Sequence, residues 1–263
     1  MEIGISTASL YMRENIEDAV VTLGKLNAKV TELFLETYTE YTPEFAEVLK
    51  SRIGDLKVHS VHVHTMHYEP ELFSDNKRQY DAAMRLYENV LGLGQLLGAK
   101  CYTMHGRGRI KRSVNYDNYE AVGKRLNTLS EIAGKYGISL CLENVEWAYY
   151  NRVGFFKEVS AYAPNLKAVL DVKQARLSGC DVYSYIDEMG DKLKTVHLSD
   201  IGENGERCLP GKGITDYKKL FSALKKNGFD GEMLIEVYAG DFKELSELTD
   251  SLEYLRKIKK EIF

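Results

Sequence analysis

Hydrophobic positions along the chain form short continuous runs that alternate with longer segments of helical spacing. Most of the runs are rich in β-branched residues and contain few polar ones, which is typical of parallel strands buried on both faces. The predicted strands are residues 2–6, 30–35, 58–63, 101–104, 138–142, 168–171, 195–198 and 233–237.

Between these runs, apolar residues recur at spacings of three and four, which indicates amphipathic helices. The clearest predicted helices are residues 16–26, 80–97, 126–133, 217–224 and 245–258. Gly98, Gly137 and Gly228 each precede a predicted strand and stand where a glycine would end the preceding helix.

Alternating strands and helices predict βαβ units and a parallel sheet. Eight such units, in a chain of 263 residues, favour one closed (β/α)₈ TIM barrel of the α/β class that spans residues 1–263 as a single domain. An open doubly wound sheet is the alternative, but no G-x-G-x-x-G follows the first strand. Residues 202–213 (GENGERCLPGKG) are interpreted as a functional loop rather than a linker.

Charge and cysteine content narrow the choice of partners and compartment. A net charge of −4 gives no electrostatic reason to expect nucleic acid or an anionic membrane as a partner. The four cysteines form no C-x-x-C pair, and the N-terminal residues lack the pattern of a secretory signal. No apolar run is long enough to span a bilayer. We therefore expect a cytoplasmic protein, with a homo-oligomer left open.

Metal-binding residue types occur at the ends of four successive predicted strands, namely Glu143, Asp171, His197 and Glu236. Their separations of 28, 26 and 39 residues each correspond to one strand-and-helix unit, the last one lengthened by the 202–213 loop. Taken singly, such an aspartate is more often a helix cap and such a histidine a core residue. Four in succession favour a divalent metal site made of three carboxylates and one imidazole.

Seven short motifs in order along the chain carry a resemblance to a known family: SVHVH (60–64), MHGRG (104–108), LENV (142–145), LDVKQA (170–175), VHLSD (196–200), LPGKG (209–213) and LIEVY (234–238). The chain resembles the xylose isomerase-like TIM-barrel superfamily, which includes the sugar phosphate isomerase/epimerase family. The resemblance implies one divalent ion, with Mn²⁺ expected first and Mg²⁺, Co²⁺ or Zn²⁺ as alternatives.

The resemblance also implies roles for individual residues. Glu143, Asp171, His197 and Glu236 would hold the ion, and the two glutamates would be the catalytic acid and base. His62 and His105 would line the substrate pocket.

Two departures from the family pattern affect the expected reaction. The family usually has D-x-x-H after the sixth strand, whereas Gln174 stands at the histidine position here, and an amide cannot transfer a proton near pH 7. In the nuclease branch an Asp-x-His comes shortly before the Gly-Lys-Gly, where this chain has Gly205 and Arg207. These departures count against a nuclease, and they also count against an ordinary sugar epimerase.

We therefore predict a metal-dependent isomerase or epimerase of a carbohydrate-like α-hydroxy carbonyl compound, which acts by α-proton abstraction through a metal-stabilised enediolate. Gln174, Arg207 and Trp147 are further predicted substrate-binding residues. The alternative is a metal-dependent dehydratase or lyase on a keto-sugar or keto-inositol. A non-catalytic sugar-binding barrel and an apurinic endonuclease-like enzyme are less favoured. A basic run at Arg107, Arg109, Lys111 and Arg112 is interpreted as a solvated loop rather than a phosphate site.

Overall fold

Eight parallel strands form a nearly closed barrel in the computed structural model, which describes residues 1–64, 67–108 and 118–263. The barrel strands are β1 (Ile3–Ile5), β2 (Val30–Leu35), β3 (Lys57–Val63), β4 (Cys101–Met104), β5 (Ser139–Glu143), β6 (Lys167–Asp171), β7 (Leu193–Leu198) and β10 (Glu232–Ile235). From β2 to β7 each strand pairs with the next strand in the chain, and β10 pairs with both β7 and β1. The prediction of an α/β TIM barrel is confirmed.

The barrel nearly closes between β1 and β2, where the two backbones approach very closely. A Cβ atom placed on Gly4 would lie 1.8 Å from the carbonyl oxygen of Val30. Only glycine fits at such a distance, so this residue permits the approach of the two strands.

Helices on the outside of the barrel cover the sheet with one apolar face each. Among the described residues they are α1 (Ile16–Lys25), α2 (Pro43–Ile53), α3 (Lys77–Leu96), α4 (Tyr119–Lys135), α5 (Phe155–Ser160), α6 (Val172–Leu177), α7 (Val182–Met189), α8 (Tyr217–Lys226) and α9 (Leu245–Ile262). Gly98, Gly137 and Gly228 follow α3, α4 and α8 with φ of +77°, +71° and +72°, so the predicted glycine stops are confirmed. In the described part of the chain, no helix is both long and apolar enough to cross a membrane.

Several elements differ from the prediction at their ends or are new. The α2 helix buries only Ala46 and Leu49, so its apolar stripe is too narrow to stand out in the sequence.

The last barrel strand ends at Ile235 instead of residue 237, although the amide of Glu236 still donates to the carbonyl of Leu198 at 3.0 Å. Glu236 is therefore the first residue beyond the strand.

The long loop after β7 contains a short antiparallel hairpin, β8 (Asp200–Ile201) and β9 (Arg207–Cys208). The buried carboxylate of Asp200 accepts hydrogen bonds from the backbone amides of Gly211 at 3.1 Å, Gly213 at 3.2 Å and Thr215 at 3.0 Å. A charged acceptor with several backbone donors is among the stronger hydrogen-bonded arrangements in proteins. This carboxylate therefore fixes the loop beside the barrel mouth.

Candidate active site

The four predicted metal ligands come together at the C-terminal end of the barrel. One ligand atom from each of Glu143, Asp171, His197 and Glu236 lies within 4.8 Å of every other. Nδ1 of His197 is 3.0 Å from Oε1 of Glu143 and 2.6 Å from Oε2 of Glu236. Side chains at the ends of adjacent parallel strands meet at one face of a barrel, so the strand order itself produces this cluster.

Burial and mutual charge shift the pKa values within this cluster. Burial raises the pKa of Glu143 and of Asp171 above the usual range. Burial acts on Glu236 in the same direction, but the charges of His197 and Lys173 outweigh it and lower the pKa of Glu236 to about 2. For His197, burial favours the neutral ring, yet the surrounding carboxylates raise its pKa well above the usual value. The charges of His197 and Lys173 therefore both offset the negative charge of the carboxylates in this cluster.

A divalent ion fits this donor set on chemical grounds. Three carboxylates and one imidazole suit Mn²⁺, Mg²⁺, Co²⁺ and Zn²⁺. Oε2 of Glu143 is buried and has no hydrogen-bond partner among the described residues, although Nε2 of His105 lies 3.4 Å from it. A buried carboxylate oxygen left in this way is costly unless a cation compensates it.

Asp171 is held in place by two separate interactions. Its Oδ1 accepts a hydrogen bond of 2.8 Å from the amide of Gln174 and so caps α6, as a lone strand-end aspartate often does. The buried side chain of Asn144 bonds to the Asp171 backbone twice, accepting from its amide at 2.8 Å and donating to its carbonyl at 3.0 Å. The ends of β5 and β6 are thereby tied together directly below the cluster.

The two predicted pocket histidines lie beside the cluster. Nδ1 of buried His62 is 2.9 Å from the carbonyl oxygen of Thr103, and the ring centroids of His62 and His105 are 4.4 Å apart. His105 contacts Trp147 on its other side, with ring centroids 5.0 Å apart. His62, His105 and Glu143 also form a second group whose ligand atoms lie within 4.8 Å of one another.

A cavity of about 200 Å³ opens over the cluster. Its described lining residues are Ala8, Tyr11, Phe34, His62, His64, His105, Glu143, Trp147, Asp171, Lys173, Gln174, Glu236, Val237 and Tyr238. The lining thus includes the predicted His62, His105, Gln174 and Trp147. The pocket has carboxylates on the side of the metal-ligand cluster and aromatic side chains on its walls. This combination is typical of a site that binds a small molecule.

Arg207 is the predicted substrate-binding residue that the structure does not bring to the cavity. Its guanidinium is exposed, pairs with Asp241 (Nε to Oδ1, 3.4 Å) and lies 4.5 Å from the ring centroid of Tyr238. Of the predicted basic run, Arg107 is exposed and lies 5.2 Å from the ring centroid of Tyr149. Arg109, Lys111 and Arg112 lie outside the described residues.

Lys173 is a pocket residue that sequence reasoning missed. It is only 4% exposed, its Nζ lies 3.6 Å from Oδ2 of Asp171, and it faces the ring of Tyr238 at 4.4 Å. Burial favours the neutral amine, but the charges of Asp171 and Glu236 hold the pKa of Lys173 above its usual value. Among the described lining residues it is the one lysine or arginine. Its position two residues after a strand-end aspartate was the available signal.

Comparison with known proteins agrees with this geometry. A sequence model of the xylose isomerase-like TIM barrel family matches residues 20–258. The chain belongs to this family. The resemblance drawn from the seven short motifs is thereby confirmed.

Relatives in the xylose isomerase-like family have different activities. An uncharacterised protein of Methanocaldococcus jannaschii is 24% identical over 247 residues, which cover 90% of this chain and 88% of that one. An inosose dehydratase of Lacticaseibacillus casei is 22% identical over 171 residues (55% and 53% of the two chains). A ketose 3-epimerase of Arthrobacter globiformis is 30% identical over 124 residues (45% and 40%). The matches to relatives of named activity therefore span about half of each protein or less.

Solved structures of other proteins share the fold over the whole chain. A D-tagatose 3-epimerase-like protein superimposes with a TM-score of 0.81 at 18% identity and covers 100% of this chain and 98% of its own. The IolI protein with a bound zinc atom gives a TM-score of 0.78 at 18% identity, with coverage of 100% and 99%. At this identity the likeness concerns the fold.

Proposed function

We propose that the protein is a divalent-metal-dependent isomerase or epimerase of a sugar or sugar-like α-hydroxy carbonyl compound. The observation that carries the proposal is the convergence of Glu143, Asp171, His197 and Glu236 within 4.8 Å, beside a cavity that the three carboxylates line. Relatives that epimerise ketoses or dehydrate inososes, and a zinc-containing structural neighbour, support an enzyme with small sugar-like substrates.

Glu143, Asp171, His197 and Glu236 would hold the ion, and Mn²⁺ is the ion we propose. When bound, it supplies Lewis-acid polarisation of the substrate carbonyl, which acidifies the neighbouring C–H. One of Glu143 and Glu236 then removes the proton α to the carbonyl, and the other returns a proton to the opposite face or to the adjacent carbon. The first outcome is an epimer and the second is an isomer.

The two glutamates differ in ways that matter for this exchange. Burial raises the pKa of Glu143, whereas His197 and Lys173 outweigh burial and keep the pKa of Glu236 at about 2. A pair of carboxyl groups with separated pKa values is the usual arrangement for an acid and a base that act at one pH. Lys173 would stabilise negative charge on the substrate oxygens as the proton leaves.

The rest of the cavity suits a polyol. His62, His64 and Gln174 offer hydrogen-bonding groups, while Trp147 and Tyr238 offer aromatic faces for the C–H side of a sugar ring. The four free cysteines are consistent with a reducing compartment, and we propose a cytoplasmic location.

A dehydratase is the second candidate, and Gln174 favours it. Oε1 of Gln174 accepts a hydrogen bond of 3.1 Å from the backbone amide of Glu146. The side chain of Gln174 therefore positions the loop after β5 and does not transfer a proton. Elimination begins with the same α-proton abstraction, after which the β-hydroxyl takes a proton from the second glutamate and leaves as water. A substrate whose mass falls by one water identifies elimination, whereas an unchanged mass identifies isomerisation.

The test is a screen of the Mn²⁺-loaded protein in D₂O against ketoses, keto-inositols, hydroxypyruvate-like acids and 3-keto-glycosides, followed by proton NMR. We expect deuterium to enter the α-carbon of at least one class. Glu143→Gln and Glu236→Gln should each abolish the exchange, while Glu203→Gln, on the exposed loop after β8, should keep it. Full exchange in either active-site variant would remove that glutamate from the proton transfer.

A further inference from the structure

Glu32 is an ionisable side chain at the centre of the barrel that the proposed reaction does not use. It lies in the middle of β2 and is 0% exposed. Its carboxylate accepts hydrogen bonds from Ser60 at 2.8 Å, Thr103 at 2.6 Å and Ser6 at 3.4 Å. These donors come from β3, from β4 and from the residue after β1. The carboxylate of Glu32 therefore connects three parts of the sheet inside the barrel.

The fourth partner of Glu32 is a ligand of the proposed metal centre. Nε2 of His197 lies 3.1 Å from Oε1 of Glu32, at ion-pair distance but without the alignment of a hydrogen bond. The same ring turns Nδ1 toward Glu143 and Glu236 at 3.0 and 2.6 Å. His197 therefore connects the buried carboxylate on one side to the carboxylate cluster on the other.

An imidazole can ligate a cation only through a nitrogen that carries no proton, so its remaining proton must sit on the other nitrogen. An ionised carboxylate carries no proton of its own, so at 3.1 Å its negative charge favours a proton on the ring nitrogen that faces it. With Glu32 on the Nε2 side, the free nitrogen is Nδ1, which faces the cluster. Glu32 itself is not one of the four clustered ligands.

We infer that Glu32 is the positioning residue of the metal centre, which fixes the tautomer and ring orientation of His197 so that Nδ1 is presented to a divalent ion. This inference rests on the metal centre of the proposed function, but not on the identity of the reaction. A merely structural Glu32 would hold β2, β3 and β4 together through Ser60 and Thr103 and would leave metal affinity unchanged.

The first test measures Mn²⁺ binding without any substrate. Purified full-length protein is titrated with Mn²⁺ at pH 8, and free Mn²⁺ is followed by its EPR signal. Glu32→Gln keeps the shape and one acceptor but removes the charge, and we expect its Mn²⁺ affinity to fall by about 10- to 100-fold. Glu36→Gln, at the half-buried residue just after β2, removes a carboxyl of the same type and should leave the affinity unchanged.

Equal Mn²⁺ affinity in Glu32→Gln and the wild type would overturn the inference while leaving the metal centre intact. A wild type that binds no Mn²⁺ would overturn the inference together with the metal centre. If Glu32→Gln does not fold, Thr103→Val replaces it, because this variant removes the 2.6 Å donor at almost constant shape. Its Mn²⁺ affinity should fall several-fold, and an unchanged affinity would again contradict the inference.

The second test observes the ring of His197 directly. In Zn²⁺-loaded, ¹⁵N-histidine-labelled protein, the two-bond ¹H–¹⁵N spectrum should assign the proton of His197 to Nε2 and the metal to Nδ1. Glu32→Gln should shift or broaden these signals. A wild-type spectrum with the proton on Nδ1 would show that Glu32 does not set the tautomer.

Discussion

Replacing Asn144 by alanine removes the tie between the ends of β5 and β6 and so tests how the site is held. Two hydrogen bonds, of 2.8 and 3.0 Å, join its side chain to the backbone of Asp171, and the whole residue is 0% exposed. In Asn144→Ala the amide of Asp171 remains buried without this partner, whereas the carbonyl of Asp171 loses one of two bonds and keeps the one from the first turn of α6. The unsatisfied amide costs about 1–3 kcal/mol and the lost bond to the carbonyl about 1 kcal/mol, so the expected loss of unfolding free energy is about 2–4 kcal/mol.

The assay for Asn144→Ala is thermal unfolding of the metal-free protein, followed by circular dichroism in the presence of a chelator. A chelator is needed because bound metal would stabilise the folded state by mass action. For a chain of this length, the expected loss lowers the melting temperature by about 5–15 °C. Since the bonds also fix the backbone of Asp171, Mn²⁺ affinity should fall by about 10- to 100-fold.

Asn151→Ala is the matched control, because the half-buried side chain of Asn151 donates one hydrogen bond, of 3.3 Å, to the carbonyl of Glu146 within the described part of the chain. The Asn151→Ala variant should lose about 1 kcal/mol or less of unfolding free energy. If Asn144→Ala melts within about 1 °C of this control and binds Mn²⁺ as the wild type does, the tie to Asp171 has no part in holding the site.

Two further predictions concern the charges of the cluster. Because the carboxylates raise the pKa of His197 well above its usual value, the metal-free ring is protonated at pH 7, so binding of Mn²⁺ should release about one proton and become tighter as pH rises. Calorimetric titrations in two weakly metal-binding buffers of different ionisation enthalpy, PIPES and Tris, should give different heats, and identical heats would contradict this. In Lys173→Met, loss of the cation 3.6 Å from Asp171 should tighten Mn²⁺ binding by about tenfold or more, and weaker binding would contradict the charge balance.

The barrel and the four clustered residues could be predicted from the sequence, and the reason is physical. Strands buried on both faces appear as continuous apolar runs, and a charged residue at the end of such a run is conspicuous. Parallel strands bring all their C-terminal ends to one face, so Glu143 and Asp171 could be placed together without knowing any angle. The separation of one strand-and-helix unit between successive candidates indicated that the four residues stand on successive strands.

Glu32 and Lys173 could not be recognised in the same way. Glu32 stands inside the run VTELFL, and nothing in that run distinguishes a carboxylate that points into the barrel from one that points out. Its partners Ser60, Thr103 and His197 come from three other strands and meet it only once the barrel closes. Lys173 is the second residue of the short helix α6, whose first turn is capped by Asp171, and it lines the cavity.

Arg207 was predicted to bind substrate because it lies on the long loop after β7, but its position in that loop did not bring it to the cavity. Asp200 holds the end of that loop through the amide of Gly211. Arg207 lies in the β8–β9 hairpin, where it pairs with Asp241 and lies over the ring of Tyr238. Backbone hydrogen bonds to a buried carboxylate are not visible in composition or periodicity. A substrate-binding role for Arg207 stays a prediction.

The decisive measurement is the anomalous scattering of crystals grown with Mn²⁺. We expect one Mn²⁺ peak at the barrel mouth, coordinated by Glu143, Asp171, Nδ1 of His197 and Glu236. A Mn²⁺-saturated crystal with no peak between these four side chains, or with His197 turned away from the ion, would contradict the proposed metal centre.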